Sequence, residues 1–308
     1  MKNLLVGAVD VGGTKILLGI CDADGRVLSR ECFPTRPGAK SAEDSVVDIA
    51  NALKRQAESI GADVRDLSGV GIVCAGPVDP VKGIVENPYT LGWNGYPITD
   101  RLRELTGLPV RLENDANGVL LGEVALRSIQ SRRVLMMTFG TGIGVAIFMD
   151  GKLYRSGGRF HPEMGHMIVA SQGPECYCRH RGCFESLWSG ASINRRAQEI
   201  GYADFDELHA AWQNGCEKAC AFMQIAKREF VAGVWNLMSI VKPNTLILGG
   251  GLMMCYFDMA KKWIEEDTRD LSDFLEPFEI VKAGEQGLSA LTGAARLILD
   301  RQSAACGN

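Results

Sequence analysis

Two acids, one histidine and three cysteines crowd into a short stretch of this chain. His161-Pro162-Glu163-Met164-Gly165-His166 is followed after nine residues by Cys176-Tyr177-Cys178, and after four more by Cys183-Phe184-Glu185. Three thiolates and one imidazole at His166, Cys176, Cys178 and Cys183 form a four-ligand set of the kind that holds zinc tetrahedrally. Glu163 stands three residues before His166 and Glu185 two after Cys183, so a metal pinning this loop would also fix two carboxylates. A further acid, Asp115 in Glu113-Asn114-Asp115, falls at the carboxyl end of a strand and the start of a helix. That is where α/β folds place chemistry. It is also where a carboxylate caps a helix, and the residues alone allow either role.

Phosphate chemistry is suggested by the glycines. A strand over 4–9 runs into Asp10-Val11-Gly12-Gly13-Thr14-Lys15, and apolar residues 16–21 follow before the turn Asp22-Ala23-Asp24-Gly25. Such a turn can aim backbone N–H groups at an anion with no Cβ in the way; equally, it can be a plain hairpin turn. It lacks the following helix and Gly-Lys-Ser/Thr ending of a Walker A loop. The same unit recurs 130 residues later: strand 134–139, Gly140-Thr141-Gly142-Ile143-Gly144, strand 145–149 and the turn Asp150-Gly151. This reads as an internal repeat, and two such turns could grip the two ends of a triphosphate.

The elements that must position these groups follow from periodicity. Residues 42–60 have helical spacing, 70–73 form a short buried strand ending at Ala75-Gly76-Pro77, and 83–95 read as a polar, turn-rich loop with Thr90, Trp93 and Asn94. Trp93 suits either sugar stacking or the plugging of a domain edge. Helix 99–106 and strand 109–112 lead to Asp115, and 118–129 read as helix. Helices at 190–200, 206–213 and 218–240 precede strand 245–248, which runs into Gly249-Gly250-Gly251 and another helix. Those three glycines offer either a flat surface for an adenosine or a tight strand-to-helix turn. Strand 278–281 and helix 289–300 close the chain.

The 308 residues, 46% of them hydrophobic, suffice for two domains with separate cores. A net charge of −4 without a basic stripe argues against a nucleic-acid partner. No apolar stretch approaches a membrane span and none near Met1 resembles a secretory signal. A reducing cytoplasm is therefore expected, with the clustered cysteines as metal ligands. Cys21, Cys32, Cys74, Cys216, Cys220, Cys255 and Cys306 read as ordinary small apolar residues or exposed thiols.

Together these segments resemble the ROK family (repressors, open reading frames and sugar kinases) of the actin-like ATPase superfamily, across essentially the whole chain. Asp10-Val11-Gly12-Gly13-Thr14-Lys15 is similar to the family's first phosphate loop, Gly140-Thr141-Gly142-Ile143-Gly144 to its second, and Gly249-Gly250-Gly251 to its adenosine contact. Glu113-Asn114-Asp115 resembles its catalytic segment and Glu163-Met164-Gly165-His166 its Glu-x-Gly-His motif. The cysteines and Glu185 match its Cys-x-Cys-Gly-x-x-Gly-Cys-x-Glu signature, except that Arg179 replaces the usual Gly. Thr90 stands where the family's kinases often carry Asn, and Lys242-Pro243 replaces a more usual Asp-Pro. His180 competes as a ligand with Cys176 or Cys178; His161 and His209 read as structural or solvated.

The resemblance implies a two-domain α/β actin-like ATPase (ribonuclease H-like) fold, with a duplicated β-meander plus helices and a zinc-binding loop in the larger domain. The expected division is a small domain of 1–116 plus 293–308 and a large one of 117–292. It implies a glucokinase- or fructokinase-like hexose kinase that phosphorylates a sugar hydroxyl, O6 foremost, with Asp115 as general base. Sugar contacts would come from Gly76, Thr90, Asn114, Asp115, Glu163, His166 and Glu185. ATP and Mg²⁺ would meet Asp10, Gly12, Gly13, Thr14, Lys15, Gly140, Thr141, Gly142, Gly144, Gly249, Gly250 and Gly251, while Zn²⁺ on His166, Cys176, Cys178 and Cys183 would be structural. A homodimer is expected from relatives. The alternatives are a sugar-sensing regulator and a non-catalytic sugar-binding protein. With the first strand beginning at Leu4, a helix-turn-helix of the regulators' kind is not expected ahead of it.

Overall fold

The strands that flank the first glycine turn are apolar along almost their whole length, the pattern of strands covered on both faces. In this computed structural model, which describes residues 4–36, 38–88, 90–157 and 160–305 (301–305 by backbone alone), they are β1 (Leu5–Val11) and β2 (Lys15–Cys21). Antiparallel β3 (Val27–Pro34) forms the edge, its residues alternating between half-buried and exposed. Helix α1 (Ala42–Ser59), capped by a Ser41–Asp44 capping box, leads to β4 (Leu67–Cys74). After three short strands come α2 (Ile98–Thr106) and β8 (Val110–Asn114). The sheet order is β3-β2-β1-β4-β8, with β1, β4 and β8 mutually parallel.

The short strands β5 (Val78–Asp79), β6 (Ile84–Asn87) and β7 (Trp93–Tyr96) form an antiparallel sheet over much of the stretch expected as loop. Val85 and Trp93 drive this, being 0% and 3% exposed in the core beneath α1 and α2. Trp93 therefore plugs the fold and is not a sugar platform; Tyr89 and Cys306 lie outside the described residues.

After α3 (Asp115–Leu126) the pattern repeats. β9 (Arg133–Phe139) and β10 (Ile143–Met149) form the second hairpin, and the two-residue β11 (Lys152–Leu153) follows it. β12 (Thr245–Gly249) pairs parallel with β9 and with β13 (Glu279–Lys282), so β10-β9-β12-β13 repeats β2-β1-β4-β8 in order and direction. The duplication read from the glycines is thus a duplication of topology. Over this sheet pack α4 (Phe184–Trp188), α5 (Gly190–Glu199), α6 (Phe205–Gln213), α7 (Glu217–Val241) and α8 (Gly251–Thr268), around a core with Phe139, Phe184, Trp188 and Phe230. His209 belongs to an aromatic group with Phe205, Trp212 and Tyr256, a structural place.

The chain forms two compact units: Met1–Gln130, Lys152–Pro162 and Gly284–Asn308 in one, Ser131–Gly151 and Glu163–Ala283 in the other. This departs from the expected division at 116 and 293, and the unit with the cysteine loop spans fewer residues. The cause is α3, which packs against α9 (Gln286–Ala305) at van der Waals limits. A Cβ on Gly293 would lie 1.8 Å from the Gly118 carbonyl, and one on Gly122 1.9 Å from that of Ser289. Buried Glu123 fastens the pair, its Oε1 accepting from Ser289 Oγ (2.5 Å) and the Gly284 N–H (2.9 Å). Among the described residues no helix is long and apolar enough to cross a membrane.

Candidate functional site

In the first unit, β1, β4 and β8 end side by side, and the carboxyl ends of β1 and β8 carry acids. β1 delivers Asp10, which is level with Val73 of β4, and Val73 is in turn level with Glu113 of β8. Asp115 opens α3, but it is not the cap: Asn114 is, its Oδ1 accepting the Ala116 and Asn117 N–H groups at 2.9 and 3.3 Å. The ladder with β4 holds Asn114 extended as the last residue of β8, and that shifts the cap by one residue. The Asn117 N–H thereby goes to Asn114 alone, and Asp115 is left with only a share of the Ala116 N–H. Burial holds its carboxyl above the usual carboxylate range, against the Ala116 N–H that its Oδ1 accepts (2.9 Å). Burial, and then the charge of Asp115, push Asp10 up to about 7, while Lys15 pulls it down.

The first glycine turn is closed by Gly12 N–H donating to Lys15 O (3.0 Å) and tied down by Thr35 Oγ1 on Gly12 O (2.6 Å). Thr14 and Lys15 are exposed. Buried Asn87 joins two other segments: its Nδ2 donates to Gly76 O (2.7 Å) and to Thr90 Oγ1 (2.8 Å), and its Oδ1 accepts the Thr90 N–H (2.9 Å). A Cβ on Gly13 would meet Thr90 Cβ at 3.5 Å, so Gly13, Gly76 and Thr90 come together. A polar relay missed in the sequence lies behind Asp115. Glu113, 1% exposed, pairs with Arg155 and accepts from the Asn114 N–H (3.0 Å) and Asn117 Nδ2 (2.9 Å). Asn117 Oδ1 lies 3.2 Å from His161 Nδ1, and burial pushes His161 down to about 4.

In the second unit, the glycine turn meets the cysteine loop. Gly140 N–H donates to Gly142 O (2.9 Å) and Gly190 N–H to Gly140 O (2.7 Å), with Thr141 exposed and Gly144 half-buried. Glu185 Oε2 accepts the Ile143 N–H (2.7 Å) and lies 2.5 Å from where a Gly142 Cβ would stand. Gly165 of the Glu-x-Gly-His segment passes as closely, its missing Cβ 2.4 Å from Ile143 O. Gly249, Gly250 and Gly251 divide: Gly250 has φ 86° and no room for a Cβ beside the Phe139 backbone (2.5 Å), whereas Gly251 faces open space.

The ligand atoms of His166, Cys176, Cys178 and Cys183 all lie within 4.8 Å of one another. Cys178 and Cys183 Sγ are 3.5 Å apart, as are Cys176 Sγ and His166 Nδ1. Around a tetrahedral ion with bonds of about 2.3 Å to sulfur, neighbouring sulfurs stand roughly 3.8 Å apart, so this donor set is consistent with zinc. His180 Nδ1 stands 3.7 Å from Cys178 Sγ but is not one of the four. The loop closes despite Arg179, which itself takes the left-handed conformation (φ 72°) that glycine would supply. Unforeseen in the sequence is Tyr177, between two cysteines: its hydroxyl lies 2.9 Å from His166 Nε2 and its ring packs edge-on, 4.9 Å from the imidazole. Desolvation, and then the charges of Glu185 and Glu163, push its phenol up.

The ROK family model matches residues 6–301. A glucokinase of Thermotoga maritima is 28% identical over 98% of this chain and 99% of its own length. An N-acetylmannosamine kinase of Vibrio cholerae is 29% identical over 84% of this chain and 88% of its own. The structure of a ROK hexokinase from Thermus thermophilus, 29% identical, superposes with TM-score 0.83 over 99% of this chain and all of that one. A ROK family glucokinase from Streptomyces griseus, solved with glucose and AMPPNP, is 30% identical with TM-score 0.74 over 95% and 98% of the chains.

Proposed function

Because the chain belongs to the ROK family of α/β, actin-like ATPase-type proteins, we propose that its sugar kinase activity transfers the γ-phosphoryl group of ATP to a hexose O6, with Asp115 as general base. The observation that carries this reading is Asp115 itself: a desolvated carboxylate just past a strand end, beside Asn114, which serves as the helix cap. A sugar hydroxyl is too weak an acid to attack unaided, and an acceptor of raised pKa takes its proton as the O–P bond forms.

Glu163, His166 and Glu185 then hold ring hydroxyls, with Asn114, Thr90 and Gly76 as further contacts. The Gly12-Gly13 and Gly140–Gly144 turns, with Thr14, Lys15 and Thr141, present donors to the phosphates, and Gly249–Gly251 the adenosine surface. Asp10 suits the water shell of Mg²⁺, since a buried acid pushed up to about 7 is one that a cation would hold ionised. Mg²⁺, when bound, supplies charge to the transferring phosphoryl group. Zn²⁺ on His166, Cys176, Cys178 and Cys183 supplies rigidity, its four protein ligands leaving no open position for substrate. The reading carries with it a cytoplasmic setting and a homodimer, and sedimentation of the purified chain checks the second.

The test is ATP consumption against glucose, mannose, fructose, allose, N-acetylglucosamine and N-acetylmannosamine. Sugar-dependent ADP formation with at least one of them, lost in Asp115→Asn, is the expected result. Sugar binding without turnover would replace the kinase by a binding or regulatory protein.

A further inference from the structure

We propose that Tyr177 is a specificity-determining residue whose hydroxyl stands in for a sugar hydroxyl on His166 and must be displaced when the hexose binds. This rests on the sugar-contact role assigned above to His166. The imidazole has two nitrogens, each with a single in-plane hydrogen-bonding direction. Nδ1 is turned to Cys176 Sγ (3.5 Å), one of the cluster's ligand atoms, so only Nε2 is left for a sugar. That direction is taken by the Tyr177 hydroxyl at 2.9 Å.

The phenol is not a passing neighbour. Its ring stands edge-on at 83° to the imidazole, with centroids 4.9 Å apart, and the charges of Glu185 and Glu163, the other two acceptors assigned to the sugar, help to push the phenol up. An O–H set 2.9 Å from an imidazole nitrogen has the hydrogen-bonding character of a pyranose hydroxyl. It satisfies His166 when no sugar is present. Tyr177 is nevertheless 67% exposed, with Cys176 and Cys178 fixing only its backbone, so the side chain can swing into solvent. Sugar binding then includes an exchange of one hydroxyl for another. Sugars that offer no hydroxyl in this direction gain nothing from it, and the exchange makes the site selective.

The test is Tyr177→Phe, which keeps the ring and deletes the hydroxyl, with Tyr177→Leu as a second variant lacking the aromatic contact. Both are measured as zinc-loaded full-length protein with the best hexose of the panel. Steady-state KM and kcat are compared with the equilibrium Kd read by calorimetry without nucleotide. Loss of one competing neutral hydrogen bond should lower hexose Kd and KM by about twofold to tenfold in both variants, with kcat and the KM for ATP unchanged. One monodeoxy analogue of that hexose, the one lacking the hydroxyl bound by His166, should show no such gain. Hexose Kd and KM unchanged or raised in Tyr177→Phe would overturn the proposal while leaving the kinase standing. A wild-type chain that neither binds nor phosphorylates any hexose would instead remove the reading on which it rests.

Discussion

Glu185 accepts the backbone N–H of Ile143 at 2.7 Å. One oxygen of an acid assigned to the sugar is thus spent on the hairpin assigned to phosphate, and the same oxygen fills the space that a side chain on Gly142 would need. Glu185 follows Cys183 by two residues, so the cysteine cluster, the acid and the glycine turn form one mechanical unit. Glu185→Gln, whose amide oxygen can still accept from Ile143, should fold normally and raise hexose KM by about tenfold to a hundredfold, as expected for a lost charged acceptor. Glu185→Ala orphans the Ile143 N–H as well and should raise the KM for ATP too. Equal effects of both variants on ATP would show that the bond does not shape the turn.

The acids of the first unit predict a pH dependence. Asp10 is pushed up to about 7 from an ordinary value near 3.8, so between these limits the folded protein holds a proton that the unfolded chain has released. Stability therefore falls as pH rises from about 4 to 7, and the penalty is complete above that. Asp10→Asn removes it. In nucleotide- and metal-free protein, the variant should gain on wild type by up to about 4 kcal/mol between pH 4 and pH 8 in denaturant titrations. Asp115→Asn should show a gain of the same sign, because burial raises the Asp115 carboxyl itself and its charge helps to raise Asp10. It should also lower kcat by about 10²- to 10⁴-fold. A difference in stability that does not change with pH would contradict the burial of these charges.

Arg179 holds a left-handed backbone that costs a side chain roughly 1 kcal/mol or more and glycine almost nothing. Arg179→Gly should therefore raise the melting temperature of the zinc-loaded protein by about 2–4 °C while leaving one zinc per chain. Chelation, or Cys183→Ala, should lower it and weaken hexose binding together. If Arg179→Gly loses zinc, the arginine is part of the site and not a tolerated strain.

What the sequence reveals here is what depends on short spacing. The four ligands lie within eighteen residues, and each glycine turn lies within one hairpin, so local pattern suffices. The cap of α3 is not legible in the sequence, because Asp115 and Asn114 are both good caps and only the ladder with β4 ends β8 at Asn114. Trp93 has loop-like neighbours and a core position, since β6 and β7 are four residues each and alternate too briefly to register. The pairing of Glu185 with Ile143 and of Gly293 with Gly118 joins residues far apart in the chain, and nothing in either segment names its partner.

The glycines themselves separate fold from function. Gly293→Ala would drive a methyl into the Gly118 carbonyl at 1.8 Å and should destabilise the first unit by about 3 kcal/mol or more, since backbone cannot step aside. Gly140 and Gly251 meet nothing within 4 Å and have no left-handed φ, so no packing reason demands glycine at either. Gly140→Ala and Gly251→Ala should accordingly melt within about 2 °C of wild type, as substitutions clear of packing and caps do. If open space there is reserved for nucleotide, both should raise the KM for ATP by about tenfold or more, the loss expected when backbone can no longer approach phosphate or adenosine closely. The hexose Kd should stay unchanged. An unaltered KM for ATP in both variants would leave the two glycines without a ligand, and the nucleotide site would have to be sought elsewhere.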